Sequence, residues 1–114
     1  MTTEADTTAL TYRLPQQRKL VTELPGPRSK EFAARRGRAV AAGVGSSVPV
    51  YAVDADGGVI VDADGNSLID LGSGIAVTSV GASEPRVAAA VTEQVGHFTH
   101  TCFMVTPYES YVAV

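Results

Sequence analysis

The stretch VPVYAVDADGGVIVDADGNSLIDL, Val48 to Leu71, decides how the chain is read, because it holds the pentapeptide Val-Asp-Ala-Asp-Gly twice, at 53–57 and at 61–65. Runs rich in Val, Ile and Leu at 48–53, 59–62 and 67–71 are separated by Ala55-Asp56-Gly57-Gly58 and Ala63-Asp64-Gly65-Asn66. Short β-branched runs divided by Asp/Gly/Asn turns predict strands joined as hairpins. Two copies fit successive hairpins of a three-stranded antiparallel meander, whereas a solenoid needs at least three repeats.

Helices are expected on both sides. Upstream, Leu20 to Pro27 is a short extended piece closed by a proline-glycine breaker. Ser29 then offers an N-cap for a helix opening Lys30-Glu31-Phe32, with Glu31 in its first turn and Gly43 as its stop. Phe32, Arg36 and Val40 share one face, so the apolar stripe is thin. Downstream, Ser83-Glu84-Pro85 opens a second helix with the stripe Val87, Val91, Val95 and Phe98. Thr106-Pro107-Tyr108-Glu109 reads as a capping box opening a third, which reaches Val114 without a stop signal. The expectation is an α/β chain cut within a helix, with one domain part at 13–114 behind a disordered polar tail at 1–12.

Composition narrows the function classes. The 114 residues suffice for one domain, with 45% apolar and 18% charged residues as in an ordinary soluble protein. Twelve acidic against nine basic side chains, net charge −3, give no electrostatic reason for nucleic acid or an anionic membrane as partner. No apolar run approaches the roughly 20 residues of a membrane span. The first twelve residues have neither the basic start of a secretory signal nor the arginines of a transit peptide. A single cysteine, Cys102, excludes an intrachain disulfide and points to a reducing cytoplasm.

Three clusters could carry chemistry. Asp62-Ala63-Asp64-Gly65 partly matches a calcium loop, but its glycine comes at position 4 instead of 6, and strands flank it. His97, His100 and Cys102 are soft ligands without a second pair elsewhere to complete a tetrahedral site. Gly72-Ser73-Gly74 could bring backbone close to a ligand, yet it lacks the further residues of a dinucleotide loop, a phosphate loop or a nucleophile elbow. On spacing alone these read as hairpin turns, local packing and a tight turn.

The order of several short motifs adds a resemblance. Asp64-Gly65-Asn66, Ile69-Asp70, Gly74-Ile75-Ala76-Val77, Gly81, Pro85, Val87, Ala89-Ala90-Val91 and Gln94 resemble the N-terminal signature of class III aminotransferases. His100-Thr101-Cys102-Phe103 with Tyr108-Glu109 looks like the form found in bacterial 4-aminobutyrate aminotransferases, and Leu24-Pro25-Gly26-Pro27-Arg28-Ser29 is similar to actinobacterial members. The similarity runs from about Arg13 to Val114, roughly the first quarter of a family member.

The resemblance implies the type I fold of pyridoxal-phosphate enzymes, with this chain as the N-terminal part of the small domain: a helix, the meander and two further helices. It implies pyridoxal 5'-phosphate as cofactor, 4-aminobutyrate and 2-oxoglutarate as substrates, and a homodimer with active sites at the subunit boundary. The cofactor lysine, its carboxylate partner, the phosphate loop and the substrate arginine lie downstream in this family. Lys19 and Lys30 match none of these contexts, so the chain by itself is expected to be inactive. Carried over by position, Ile75 lines the substrate pocket, and Met104 stands near the substrate where some bacterial relatives have glutamine. The family commonly reads Gly-His-x-His-Pro where this chain has Gly81-Ala82-Ser83-Glu84-Pro85. That departure, with Met104, leaves ornithine, acetylornithine and other ω-amino acids open as substrates. A different class of answer is a stand-alone meander module with a weak calcium site, distinguished by whether the reading frame continues to a cofactor lysine.

Overall fold

A computed structural model describes residues 11–114; the first ten residues of the expected tail lie outside the described residues. The elements are α1 (Pro27–Ala39), β1 (Ala52–Asp56), β2 (Val59–Asp62), β3 (Ser67–Ile69), α2 (Ser73–Ala76), α3 (Pro85–His97) and α4 (Glu109–Val112). They fall into two compact units, Met1–Ser83 and Glu84–Val114.

In the first unit the strands form one antiparallel sheet in the order β1-β2-β3. Asp56 pairs with Val59, so the first hairpin closes on Gly57 and Gly58 alone, with Gly57 at φ 58°. That loop is tighter than the four-residue turn read from the sequence, and β1 accordingly runs on to Asp56. It also starts later than expected: Pro49 has no N–H to give a ladder, and the register shifts between Ala52 and Asp54. The third strand ends at Ile69 because the chain turns away at Asp70.

The interior of this unit is polar. Val59 is the apolar side chain that is fully buried among the described residues, in company with Asp56, Asp62, Asn66 and Ser29. Side chains of the two hairpins bind the segment that precedes the sheet. Asp56 accepts the adjacent amides of Arg13 and Leu14. The Asn66 side-chain oxygen accepts those of Val21 and Thr22, at 2.8 and 2.9 Å. Asp64 accepts those of Arg28 and Ser29, at 2.6 and 2.9 Å. Lys19 adds a backbone bridge to Ser67, closing the open edge of β3. Asp62 in turn accepts the Asn66 amide and side-chain N–H, at 2.8 and 2.9 Å, which orients Asn66 for its task.

Asp64 also corrects the reading of α1. The N-cap is Gly26, proline follows at N1, and Ser29 is buried inside the first turn. The free amides of that turn go to a carboxylate from the second hairpin, a partner 35 or 36 residues away that local sequence cannot reveal. Glu31 consequently lies beyond the first turn. The helix also ends before Gly43: Val40 is extended, and the Arg36 guanidinium donates to the Val44 carbonyl, folding 40–44 back on the helix end. Its apolar contact is Phe32, set edge-on to Tyr51 at 5.6 Å.

In the second unit α3 starts where the sequence placed it, with Glu84 as N-cap accepting the Val87 amide. The stripe of Val87, Val91 and Val95 stays exposed. The capping box at Thr106 does not form: Tyr108 is the N-cap, in extended conformation, and α4 begins at Glu109. The Tyr108 ring stands 5.6 Å from Phe98 and 5.4 Å from Phe103, with Tyr111 beside both Phe103 and Tyr108. This aromatic cluster accompanies the extended Tyr108, while the Thr106 carbonyl is taken by the Thr101 hydroxyl.

Removing the Asn66 side chain leaves the Val21 and Thr22 amides without their acceptor. Asn66→Ala is expected to destabilise the protein by about 1–3 kcal/mol, the cost of a polar group left without its partner, since the two amides are only partly buried. Amide exchange at Val21 and Thr22 should accelerate before that of β2; unchanged protection there would refute the clamp. The pH response has a definite sign. Hydrogen bonding to Arg13 holds the Asp54 carboxyl below its ordinary 3.8. At Asp64 desolvation pushes upward, but the Arg28 and Ser29 amides outweigh it and the carboxyl also lies below 3.8. Stability from such groups is complete above the unfolded-state value and is lost as pH falls through the depressed folded-state value. Acid titration followed by exchange at Arg28 and Ser29 should therefore show the segment holding at pH 5 and releasing only below about 3.8.

Candidate functional site

Ile75 sits on a backbone feature that the sequence did not disclose. Four consecutive residues, Ser73, Gly74, Ile75 and Ala76, have φ of 46°, 62°, 62° and 61°. The tight turn expected at Gly72-Ser73-Gly74 is thus the start of a left-handed helical turn, an element additional to the three expected helices. Left-handed backbone costs an L-residue roughly 1–2 kcal/mol, and for a β-branched residue such as Ile75 it is a true outlier. Strain of this kind collects at functional sites and persists where surrounding contacts impose it.

Those contacts are explicit. Gly72 O accepts the amides of Ile75 and Ala76, at 2.7 and 3.2 Å, and Ser73 O accepts those of Val77 and Thr78, at 2.7 and 3.0 Å. Upstream, Asp70 Oδ1 accepts the amides of Gly72 and Ser73 at 3.0 and 2.8 Å, while the Asp70 amide donates to Gly58 O at 2.9 Å. Downstream, Ala82 exchanges both backbone hydrogen bonds with Gly57, each 2.9 Å. Both stems of the loop therefore hang on the same hairpin tip. Gly81, at φ 97°, lies so near Gly57 that an added Cβ would meet its Cα at 3.0 Å. The side chain of Ile75 is left 94% exposed at the crest.

Met104 belongs to the second unit, in a turn where Cys102 O accepts the amides of Val105 and Thr106, both at 2.9 Å. It is 93% exposed. Leu24, Val48, Val50, Ile60 and Leu68 line an apolar cavity of about 430 Å³ that reaches Asp70 and Gly72. Among the described residues no group of three or more His, Cys, Asp or Glu is placed to hold a metal ion, and no helix is long and apolar enough to cross a membrane. The Asp-rich turns spend their carboxylates on backbone amides instead. Both lysines are exposed; Lys30 Nζ is paired with Glu23 at 2.8 Å, and Lys19 is held through its backbone. Neither has the buried setting that a Schiff-base lysine needs, so the residues present do not fit the anchoring of a pyridoxal cofactor.

Residues 40–114 match the family described as aminotransferase class-III, and the chain belongs to that family. Among individual proteins, it is 62% identical over 101 residues to a 4-aminobutyrate aminotransferase of Mycobacterium bovis, covering 89% of this chain and 22% of that protein. The Mycobacterium leprae protein of the same name is 64% identical over 99 residues, 87% of this chain and 22% of its own. The 5-aminovalerate aminotransferase DavT of Pseudomonas aeruginosa is 46% identical over 78 residues, 68% of this chain and 18% of that protein. The chain thus spans about a fifth of the length of the curated relatives it matches.

The left-handed turn predicts an inverted substitution effect. Glycine in place of alanine normally destabilises by about 0.5–1 kcal/mol, but a left-handed alanine carries about 1–2 kcal/mol of strain. Ala76→Gly is therefore expected to be neutral or to stabilise by up to about 1 kcal/mol in a denaturant titration. A loss of 1 kcal/mol or more would show that Ala76 is not held left-handed.

Proposed function

We propose that this chain is the N-terminal part of the small domain of a pyridoxal-phosphate-dependent 4-aminobutyrate aminotransferase of fold type I. Such an enzyme moves the amino group of 4-aminobutyrate to 2-oxoglutarate and releases succinate semialdehyde and glutamate. The observation that carries the reading is the identity of 62–64% to mycobacterial proteins of that name, held over nearly nine-tenths of this chain. The identity of 46% to a 5-aminovalerate enzyme supports an ω-amino acid substrate in general. Ornithine and acetylornithine are the neighbouring alternatives. A homodimer with its sites at the subunit boundary, in the cytoplasm, completes the proposal.

When bound, pyridoxal phosphate supplies the electron sink for amino transfer. The residues here do not anchor it, and their own contribution is to shape the substrate side. Ile75 is exposed at the crest of a fixed turn and has no polar atom to satisfy an α-amino or α-carboxylate group. Placed beside the methylenes of 4-aminobutyrate, it offers apolar contact to the middle of the substrate. Met104, flexible and apolar, is the second residue carried over by position as a substrate neighbour.

The test uses the whole protein. Ile75→Gln removes apolar contact worth about 1–3 kcal/mol and adds a polar group. A loss of roughly 10-fold or more in kcat/KM for 4-aminobutyrate is expected, with the half-reaction on 2-oxoglutarate less affected. A folded variant with unchanged 4-aminobutyrate kinetics would reduce Ile75 to ordinary packing.

A further inference from the structure

The left-handed turn raises a question that its own residues do not answer. Three of its four members carry a Cβ, and one is β-branched. Local preference would release them to ordinary backbone. The hydrogen bonds inside the turn depend on where the carbonyls of Gly72 and Ser73 point, because these two accept all four amides from Ile75 to Thr78. A carbonyl is coplanar with the N–H of the residue that follows it, so fixing the Ser73 N–H fixes the direction of the Gly72 carbonyl, which accepts the Ile75 and Ala76 amides. The N–H groups of Gly72 and Ser73 are both held by one atom, Asp70 Oδ1. That carboxylate is in turn fixed to the sheet, since the Asp70 amide donates to Gly58 O.

We propose that Asp70 is the positioning residue for the substrate-facing side chain of Ile75. It does not touch substrate. It sets the 71–72 and 72–73 peptide planes and so aims the Gly72 carbonyl at the Ile75 and Ala76 amides, starting the left-handed turn that carries Ile75 out to 94% exposure. Gly57 and Gly58 serve the same end from the hairpin tip, one holding each stem of the loop. The inference rests on the reading of Ile75 as a pocket residue and extends it: selectivity for the ω-amino acid depends on a carboxylate five residues away in sequence. An isoleucine that slid back toward right-handed backbone would leave the pocket wall and open it to other substrates.

The experiment compares Asp70→Ala and Asp70→Asn in the full-length enzyme, beside Ile75→Gln. The readouts are kcat and KM for 4-aminobutyrate, for 5-aminovalerate and for the glutamate half-reaction, with the melting temperature of each variant. Asp70→Ala removes the acceptor and is expected to raise KM for 4-aminobutyrate roughly 10-fold, the size of a lost apolar contact, with a smaller change for glutamate. The preference between 4-aminobutyrate and 5-aminovalerate should shrink in the same variant. Asp70→Asn keeps an oxygen in place without the charge and should fall between parent and alanine, because charge-assisted hydrogen bonds are roughly twice as strong as neutral ones. A parallel fall for every substrate would overturn the proposal, as would asparagine no better than alanine or unaltered selectivity in a folded Asp70→Ala. If Ile75→Gln shifts selectivity and Asp70→Ala does not, the positioning role fails alone. If neither does, the pocket reading fails with it.

Discussion

Adjacent backbone amides captured in pairs by turn side chains hold the first unit together. Asp56, Asn66 and Asp64 each take two consecutive N–H groups, at 13–14, 21–22 and 28–29, and bring an otherwise irregular segment onto the meander. One apolar side chain, Val59, is fully buried among the described residues, so hydrophobic burial alone is a poor account of the unit's cohesion. Hydrogen bonds to ionised acceptors are the stronger kind, and a buried donor left without one is expensive. The pentapeptide repeat gains its meaning here. The fourth residue of each copy, Asp56 and Asp64, performs the same clamp on a different stretch of chain.

What was legible in the sequence was local chemistry. The three strands, the two Asp-Gly turns and the start of α3 at Pro85 follow from periodicity, turn residues and proline placement. What was not legible was any choice between a local and a distant partner. Ser29 looked like a cap, but Asp64 supplies one from across the fold; Thr106 looked like a cap, but the extended Tyr108 with its aromatic neighbours moves the helix start to Glu109. The positive φ of Ile75 and Ala76 could not be anticipated, because propensity argues against it at both positions. Gly74 was the visible part of the signal. The acceptor two residues before the glycines, Asp70, was the part that spacing rules passed over.

The departure from Gly-His-x-His-Pro now has a structural context. Ala82 sits in a backbone exchange with Gly57, Gly81 lies against the Gly57 backbone, and Ser83 donates to Ala55 O at 3.0 Å. Small residues at 81–83 fit that close crossing. Glu84, the other departing position, caps α3 and pairs with Arg86 at 2.6 Å, and the Arg86 guanidinium and the Val87 amide hold its carboxyl below the usual range.

The amide clamps bear on chemical ageing as well as on folding. Asp-Gly bonds are weak points in any long-lived protein, because the glycine nitrogen can attack the aspartyl carboxyl, close a succinimide ring and leave a misrouted isoaspartyl backbone. This chain has two of them, Asp56-Gly57 and Asp64-Gly65, both at the turns on which the fold depends. In each the glycine nitrogen is already engaged, Gly57 with Ala82 O at 2.9 Å and Gly65 with Asp62 O at 3.0 Å. In each the carboxylate is turned toward the preceding segment, where two amides hold it. Ring closure requires both to let go at once. The arrangement that gives the meander its hold on the chain thereby restrains both Asp-Gly bonds, and a molecule that loses the clamp loses that restraint in the same event.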